Sequence, residues 1–410
     1  MSKVELRVEK HIINEHHKHF DECKHLTWLS KNLYNSTLYC VRQQFIFNKK
    51  YVSYYEINKK FTHRNQHDYR QLPSKVAKMT QKLVDENMKS FFSLLKLKKD
   101  KGYDKPIKLP KYLKRDGLQV VHYDKQALSF KKKKGFIHLS RTNIYVKTKQ
   151  SEDNIRFVKI IPRGNHFLIT VGYSRGKNKL FDDNGRYGSV DLGLNNLITF
   201  SSNVTEPFII NGKPVKSINQ YYNKKISKLK SKLPKNKRVS KNINNLYKRR
   251  SHKIDDYLHK STKTLVNHLV SNRINTLIIG YNKGWKQDIN IGRRNNQNFV
   301  QVPFQRLVQM LIYKCNEQGI TVVLQEESYT SKCSFLDNEP IQKHDKYKGK
   351  RVKRGLFKTE NGIIVNADLN GSLNILKKYL IKKEVWNENL FSDCIGVCSI
   401  PTLKKYTISF

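Results

Sequence analysis

Acidic residues are scarce in this chain. Across 410 residues, Asp and Glu number 33 against 80 Lys and Arg, a formal net charge of +47. An excess of that size repels itself unless a polyanion neutralises it, so an ordinary solvated surface does not account for it. Nucleic acid is the expected polyanion, held by a salt-sensitive release of counterions. Long apolar runs are missing too. Without a continuous apolar span or a visible signal peptide, no membrane partner is expected, and the expected location is the cytoplasm, near the nucleoid. Cysteine is sparse: Cys23, Cys40, Cys315, Cys333, Cys394 and Cys398. Their scatter excludes a disulfide framework and points to a reducing compartment. Cys394 and Cys398 lie close together, but no second Cys or His pair stands near at zinc-finger spacing. Both read as ordinary thiols.

The length allows roughly two to four domains. Val4, Leu6 and Val8 alternate as a lone strand. From about 18 to 100 the spacing turns helical: Leu26, Leu29 and Leu33 share a face, as do Leu38, Val41 and Phe45. Pro73-Ser74 opens a further helix carrying Val76, Leu83, Met88, Phe91 and Leu95. Gly102, Pro106 and Pro110, interleaved with Lys105, Lys108, Lys111 and Lys114, mark a boundary. Residues 118–173 then alternate as short strands around turns such as Arg163-Gly164-Asn165. They suggest a small barrel or curled sheet that the first strand could close, making the helical segment an insertion.

From about 186, strands at Ser189–Asp191, Leu197–Ser201 and Pro207–Ile210 precede two basic helices. The second carries Tyr247, Ile254, Leu258, Leu265 and Leu269 as a packing seam. Lys224, Lys228, Lys248, Arg249 and Arg250 belong to a run of positive charge dense enough for a phosphate track. A buried strand (Thr276–Gly280), a Gly/Asn-rich loop (282–298), a helix from about Pro303 to Gln318 and a strand (Thr321–Leu324) follow. Next come a disordered-looking basic stretch (341–354), a strand (Ile363–Ala367) and a final helix from about Asn370.

Three acidic positions stand at or near the ends of short apolar runs: Asp191 in Val-Asp-Leu-Gly, Glu326-Glu327 in Gln-Glu-Glu-Ser-Tyr-Thr-Ser-Lys, and Asp368 in Asn-Ala-Asp-Leu-Asn-Gly. Clustered carboxylates repel and lose their ionisation unless a cation lies between them. Alone, Asp368 reads as a helix N-cap. In combination, the three fit phosphodiester hydrolysis, in which two divalent ions about 4 Å apart activate water and stabilise the leaving oxygen. Hard oxygen ligands suit Mg²⁺.

These segments, with Gly-Lys-Arg-Val-Lys-Arg-Gly-Leu-Phe from 349, resemble the RuvC-type, RNase-H-like nuclease domain of TnpB proteins. Those are transposon-encoded, RNA-guided DNA endonucleases related to type V CRISPR effectors. The resemblance covers about 186–382 and is looser before it. It implies an α+β multidomain chain: a wedge-like β-barrel from 1–15 and 101–185, a helical recognition insertion at 16–100, a RuvC-like nuclease domain at 186–390 and a tail at 391–410. It also implies a guide RNA, a double-stranded DNA target, two Mg²⁺ ions, and Asp191 and Asp368 as first and third catalytic acids.

Two positions depart from the family's pattern. Gly280 stands where the second acid usually follows its strand. Glu326 and Glu327 end the neighbouring strand, and because consecutive residues face opposite ways, one should point inward. Glu327 is the expected catalytic and metal-binding residue, with Glu326 the runner-up. The four-cysteine zinc ribbon of many relatives is reduced to Cys333, with His344 and Asp345 nearby. No structural zinc is expected, and the insert at about 333–362 should rest on Phe335, Leu336, Tyr347 and Phe357.

Lys350, Arg351, Lys353 and Arg354 are expected at phosphates, and Tyr329, Thr330 and Ser331 are candidates for the same. Trp285 is a candidate for stacking on a base. Asp182, Asp183, Asp255, Asp256, Asp288 and Asp337 read as surface or turn acids. The alternatives are a nuclease-dead, RNA-guided DNA-binding regulator, motivated by Gly280, and a guide-independent nuclease or transposase.

Overall fold

The computed structural model describes residues 4–100, 102–131, 133–176, 178–282, 284, 292–391 and 403–409. Trp285, Asp288, Cys394 and Cys398 lie outside the described residues. The chain is a mixed α+β protein that divides into two compact units, Met1–Gly176 and Lys177–Phe410.

The first unit opens with β1 (Val4–Ile13) and a helical run: α1 (Phe20–Asn48), α2 (Tyr54–His63), α3 (His67–Gln71) and α4 (Ser74–Lys99). Ser53 caps α2 by accepting from the Glu56 amide, the serine–glutamate pairing of a capping box. Strands β2 (Val121–Asp124), β3 (Leu128–Ser129), β4 (Phe136–Leu139), β5 (Tyr145–Lys147), β6 (Ile155–Arg163) and β7 (His166–Gly176) follow. The strands expected as a small barrel or curled sheet form sheets ordered β1-β7-β6-β2 and β3-β4-β5. The N-terminal strand joins by pairing antiparallel with β7 along its whole length, Val4 opposite Gly176 and Ile13 opposite Phe167. Helices and strands share one core, in which Leu33, Leu38, Val76 and Met88 pack with Val121, Tyr123, Ile160 and Val171.

The second unit is built on a six-stranded sheet. Its elements are β8 (Tyr187–Asp191), β9 (Asn196–Ser202), β10 (Phe208–Asn211), α5 (Lys213–Lys230), α6 (Lys241–Ser271), β11 (Thr276–Gly280), α7 (Arg293–Gln301), α8 (Phe304–Glu317) and β12 (Thr321–Gln325). A small sheet of β13 (Lys350–Lys353), β14 (Leu356–Lys358) and β15 (Ile364–Asn366) leads into α9 (Ala367–Lys382). The strand β16 (Lys404–Tyr406) lies near the C-terminus. The large sheet runs β12-β11-β8-β9-β10-β16. β8, β11 and β12 are parallel neighbours, so their carboxyl ends lie along one edge, where functional groups collect in such sheets.

Alternation along the parallel strands separates two cores. Val190, Leu277 and Ile279 face α6 and α8, packing with Leu258, Leu265 and Leu307. Tyr187 and Ile278 face α9, packing with Leu369, Leu373 and Leu376. Both faces are therefore covered, which explains the unbroken apolar run Leu277–Ile279. Behind α9, Ser189 donates to the Ser372 carbonyl at 2.7 Å, and the Ser201 hydroxyl lies 2.8 Å from that of Ser189 and 2.9 Å from that of Ser372.

Three expectations are corrected. The basic stretch at 341–354 is not disordered throughout, because Lys350–Lys353 pair antiparallel with β14. The last helix begins at Ala367 rather than near Asn370, since Asn366 caps it by accepting from the Asp368 and Leu369 amides. Phe335 does not serve the insert's core. It packs with Phe391 and α9, leaving Phe357, Val365, Ala367 and Leu336 to the insert.

Candidate active site

Asp191 is the last residue of β8. In the adjacent β11, Ile279 is level with Val190, so Gly280 lies beside Asp191. Gly280 is in turn level with Gln325, the end of β12, and Glu327 stands two residues beyond. Asp368 enters from the second residue of α9. It is free of capping duty because the Asn366 side chain performs it. Four segments distant in sequence thus meet at one sheet edge.

The two glutamates separate cleanly. Glu326 is exposed and points outward: Lys378 pairs with it at 2.6 Å, and Ser328 donates to it through both Oγ (2.6 Å) and its amide (2.7 Å). The lysine's hydrogen bond, then that of Ser328, hold its carboxyl below the ordinary glutamate value. Glu327 turns inward. Asn282 clamps it, donating to Oε2 at 3.2 Å and accepting from the Glu327 amide at 3.0 Å. Its Oε1 is buried without a hydrogen-bond partner. A Cβ added at Gly280 would lie 2.3 Å from that oxygen. The Glu327 carboxyl therefore fills the space that a side chain at 280 would occupy. Burial, reinforced by the charge of Glu326, raises its pKa to about 7.

Asp191 is tightly enclosed as well. A Cβ on Gly371 would lie 2.9 Å from Asp191 Oδ2, so the glycine of Asp-Leu-Asn-Gly lets α9 pass directly over the carboxylate. Burial raises the Asp191 pKa to about 8, helped by the negative charges of Asp368 and Glu327 and opposed by Arg351. Asp368 accepts from Asn196 Nδ2 at 2.7 Å and pairs with Arg351 at 3.8 Å.

The donor set fits a hard divalent cation on two counts: a buried carboxylate oxygen with no partner, and two carboxyls driven toward protonation by burial and like charge. Among the described residues, however, no three Asp, Glu, His or Cys side chains stand close enough to hold one ion. The three carboxylates are near enough to repel and would have to be drawn together by the cation.

Asn196, Asn282 and Lys405 were not anticipated. Asn196 stands within Val-Asp-Leu-Gly-Leu-Asn-Asn, and Asn282 stands just past Gly280 in Gly-Tyr-Asn, so both were open to notice. Lys405 carried no signal. It comes from β16, which pairs parallel with β10, and its Nζ donates to Asn196 Oδ1 at 2.8 Å.

The expected phosphate contacts divide. Lys350, Arg351, Lys353 and Arg354 are exposed. Lys228 and Arg249 line one groove between α5 and α6 with Lys225 and Lys232, and Lys224 is exposed nearby on α5 while Lys248 is half-buried on α6. Arg250 departs from this track, because its Nε donates to Asn219 at 2.8 Å between the helices. Thr330 departs too, since it is buried and its hydroxyl donates to the Glu327 carbonyl at 2.8 Å; Tyr329 and Ser331 remain exposed. Asp183, Asp255 and Asp256 are paired with Lys383, Arg306 and Lys260, and Asp337 accepts the Glu360 amide. In the insert, the Cys333 thiol donates to the Gln342 carbonyl at 3.6 Å, and His344 Nε2 lies 2.8 Å from the Pro340 carbonyl oxygen.

A family model described as a probable transposase matches residues 183–286, and one described as a Cas12f1-like TNB domain matches 304–375. The chain is 24% identical over 407 residues to the TnpB-like protein ORF457 of Acidianus two-tailed virus, covering 87% of this chain and 82% of that protein. Among solved structures, a Cas12f1–sgRNA–target DNA complex overlaps at a TM-score of 0.49 with 14% identity, covering 86% of this chain and 81% of the other. A CRISPR–Cas12f ternary complex overlaps at 0.35 with 13% identity, covering 87% and 81%. By these sequence matches the chain is similar to a probable transposase over 183–286 and to a Cas12f1-like TNB domain over 304–375, and over most of its length to a TnpB-like protein.

Among the described residues, no helix is long and apolar enough to cross a membrane.

Proposed function

We propose that this chain is an RNA-guided DNA endonuclease of TnpB type, with an RNase-H-like nuclease unit whose second acid has moved from the end of β11 to the segment after β12. Asp191, Glu327 and Asp368 would hold magnesium. Bound there, the metal would supply a polarised water and neutralise charge on the leaving oxygen. The chain's own residues do the rest. Asn282 fixes the Glu327 carboxyl, Asn196 orients Asp368, and Lys405 orients Asn196. Arg351, on the rim beside Asp368, is placed to meet a phosphate once a cation takes over that carboxylate's charge. Guide pairing would read sequence, leaving the protein to recognise heteroduplex shape.

One observation carries the reading over that of a nuclease-dead regulator: the Glu327 oxygen stands 2.3 Å from where a Cβ at 280 would be. That distance supports reading the glycine as room for a replacement acid rather than as the loss of one.

The test is cleavage of target DNA by the protein purified with its own RNA, with Mg²⁺ supplied. Losing an outer-shell partner of a metal site already costs about 10–100-fold. Asp191→Ala and Glu327→Gln are therefore expected to lose more than about 100-fold, and Glu326→Gln little. Unchanged cutting by Glu327→Gln rejects the relocated acid. Cutting of bare DNA by RNA-free protein rejects guidance.

A further inference from the structure

The first unit carries a cavity that the carboxylate site does not use. Its volume is about 770 Å³, and it lies among the end of β1, the turn into α1, and strands β4 and β5. Lys10, Lys18, Lys133 and Lys147 stand at it, with the rings of Phe136 and Tyr145 in its lining. The four ammonium groups have no carboxylate at ion-pair distance among the described residues. Lys133 instead sits over the Phe136 ring at 4.5 Å.

His19 also lines the cavity. It is 6% exposed, and its Nε2 is buried with no hydrogen-bond partner. A buried polar nitrogen left unpaired is costly unless something from outside the chain satisfies it. The side chain is not serving α1, for although His19 holds the N-cap position it makes no capping bond. Burial, then the neighbouring His17 and Lys18, lower its pKa. Near pH 7 the imidazole is therefore neutral and offers a hydrogen bond rather than charge.

Ammonium groups suit phosphate, aromatic rings suit a planar base, and a neutral imidazole suits a base edge. A plain basic surface would need neither the rings nor the orphaned nitrogen. The volume lies within the usual range for ligand cavities. We propose that this cavity binds one unstacked nucleotide, its base against Tyr145 and Phe136, its edge on His19 Nε2 and its phosphates at the lysines. The inference does not rest on the nuclease reading.

The test is photo-cross-linking of the full chain, in EDTA so that no cutting contributes, to a short oligoribonucleotide containing thiouridine, with the cross-linked peptides identified by mass spectrometry. Cross-links are expected within 133–147 or 10–19. Tyr145→Ala should lower that yield by about fivefold or more, the low end of what losing one base stack does, and His19→Leu, which removes the hydrogen bond to the base edge, by a similar factor. Total affinity should fall less, because charge elsewhere still binds.

Competition by a free mononucleotide as strong as by the oligomer would identify the free nucleotide as the source. Competition by the oligomer alone would identify an unstacked nucleotide within a strand, and the matching thiothymidine DNA separates RNA from DNA. Thermal melting reports whether the variants fold. Should either fail, the exposed pair Lys10→Ala with Lys147→Ala must show the same loss. Cross-links mapping only elsewhere, or yields unchanged in folded variants, overturn the proposal whatever the cleavage assay gives.

Discussion

A Cβ at Gly280 would lie 2.3 Å from Glu327 Oε1 and 2.5 Å from Ile375 Cδ1, so the ends of both side chains would have to move aside. Gly280→Ala should therefore expel the Glu327 carboxyl, lowering cleavage by more than about 100-fold and unfolding stability by about 1–3 kcal/mol through overpacking. Cleavage rates and urea melts measure the two effects separately. Gly280→Glu combined with Glu327→Ala should recover part of the cutting, because the carboxyl returns to the same sheet edge. Wild-type cutting by Gly280→Ala would remove Glu327 from the mechanism.

The same cluster sets a pH dependence. The folded pKa values of Asp191 and Glu327 are raised to about 8 and about 7, from ordinary values of 3.8 and 4.5. Between those limits the folded chain holds protons that the unfolded chain has released. The stability these groups contribute is complete below about pH 4 and is lost as pH rises to about 8. In EDTA the melting temperature should fall across that window, and Asp191→Asn should flatten the fall. The three acids were legible because each sits at or near the end of an apolar run. The steric demand at Gly280 was not, because it depends on a carboxyl 47 positions away in the chain (Glu327 minus Gly280).

At the scale of elements, apolar patterning was enough to place the strands with buried faces, β8 and β11 above all. It failed where charge hides the backbone. Lys-Arg-Val-Lys is fully exposed and forms an edge of its small sheet, where lysines discourage further pairing. The same holds for β16, whose Lys404 and Lys405 close the edge of the large sheet. Yet β16 reaches the site through Lys405, Asn196 and Asp368. Lys405→Met is expected to lower the cleavage rate by about tenfold, and Lys405→Arg to restore part of it; full activity in Lys405→Met would show that the strand only closes the sheet.

The insert has a comparable internal anchor. Glu339 is 2% exposed and accepts from the amides of Ser334 at 2.7 Å and Lys348 at 3.0 Å. In a segment with one cysteine, this carboxylate ties together chain that a metal could have tied. Glu339→Ala strands the buried Ser334 amide and frees the part-buried one of Lys348, and should cost about 1–3 kcal/mol, seen as faster proteolysis confined to 333–362.

For the whole molecule, the net charge of +47 predicts how any nucleic acid should be held. With about six to ten phosphates neutralised, affinity falls roughly 10³–10⁵-fold between 50 and 200 mM salt. Composition announces this total but does not say which cations contribute, and the helices α5 and α6 separate them. Lys228 and Arg249 line an open groove of about 360 Å³. Arg250, the next residue, is spent on Asn219, and burial lowers its pKa. Lys228→Ala with Arg249→Ala should reduce the slope of log affinity against log salt by about two, since each lost phosphate contact removes about 0.9. Arg250→Ala should leave that slope unchanged and instead lower the melting temperature, because Asn219 loses its partner within the helix pair. Equal slopes for both variants would mean that charge acts here as a diffuse field, without a track along these helices.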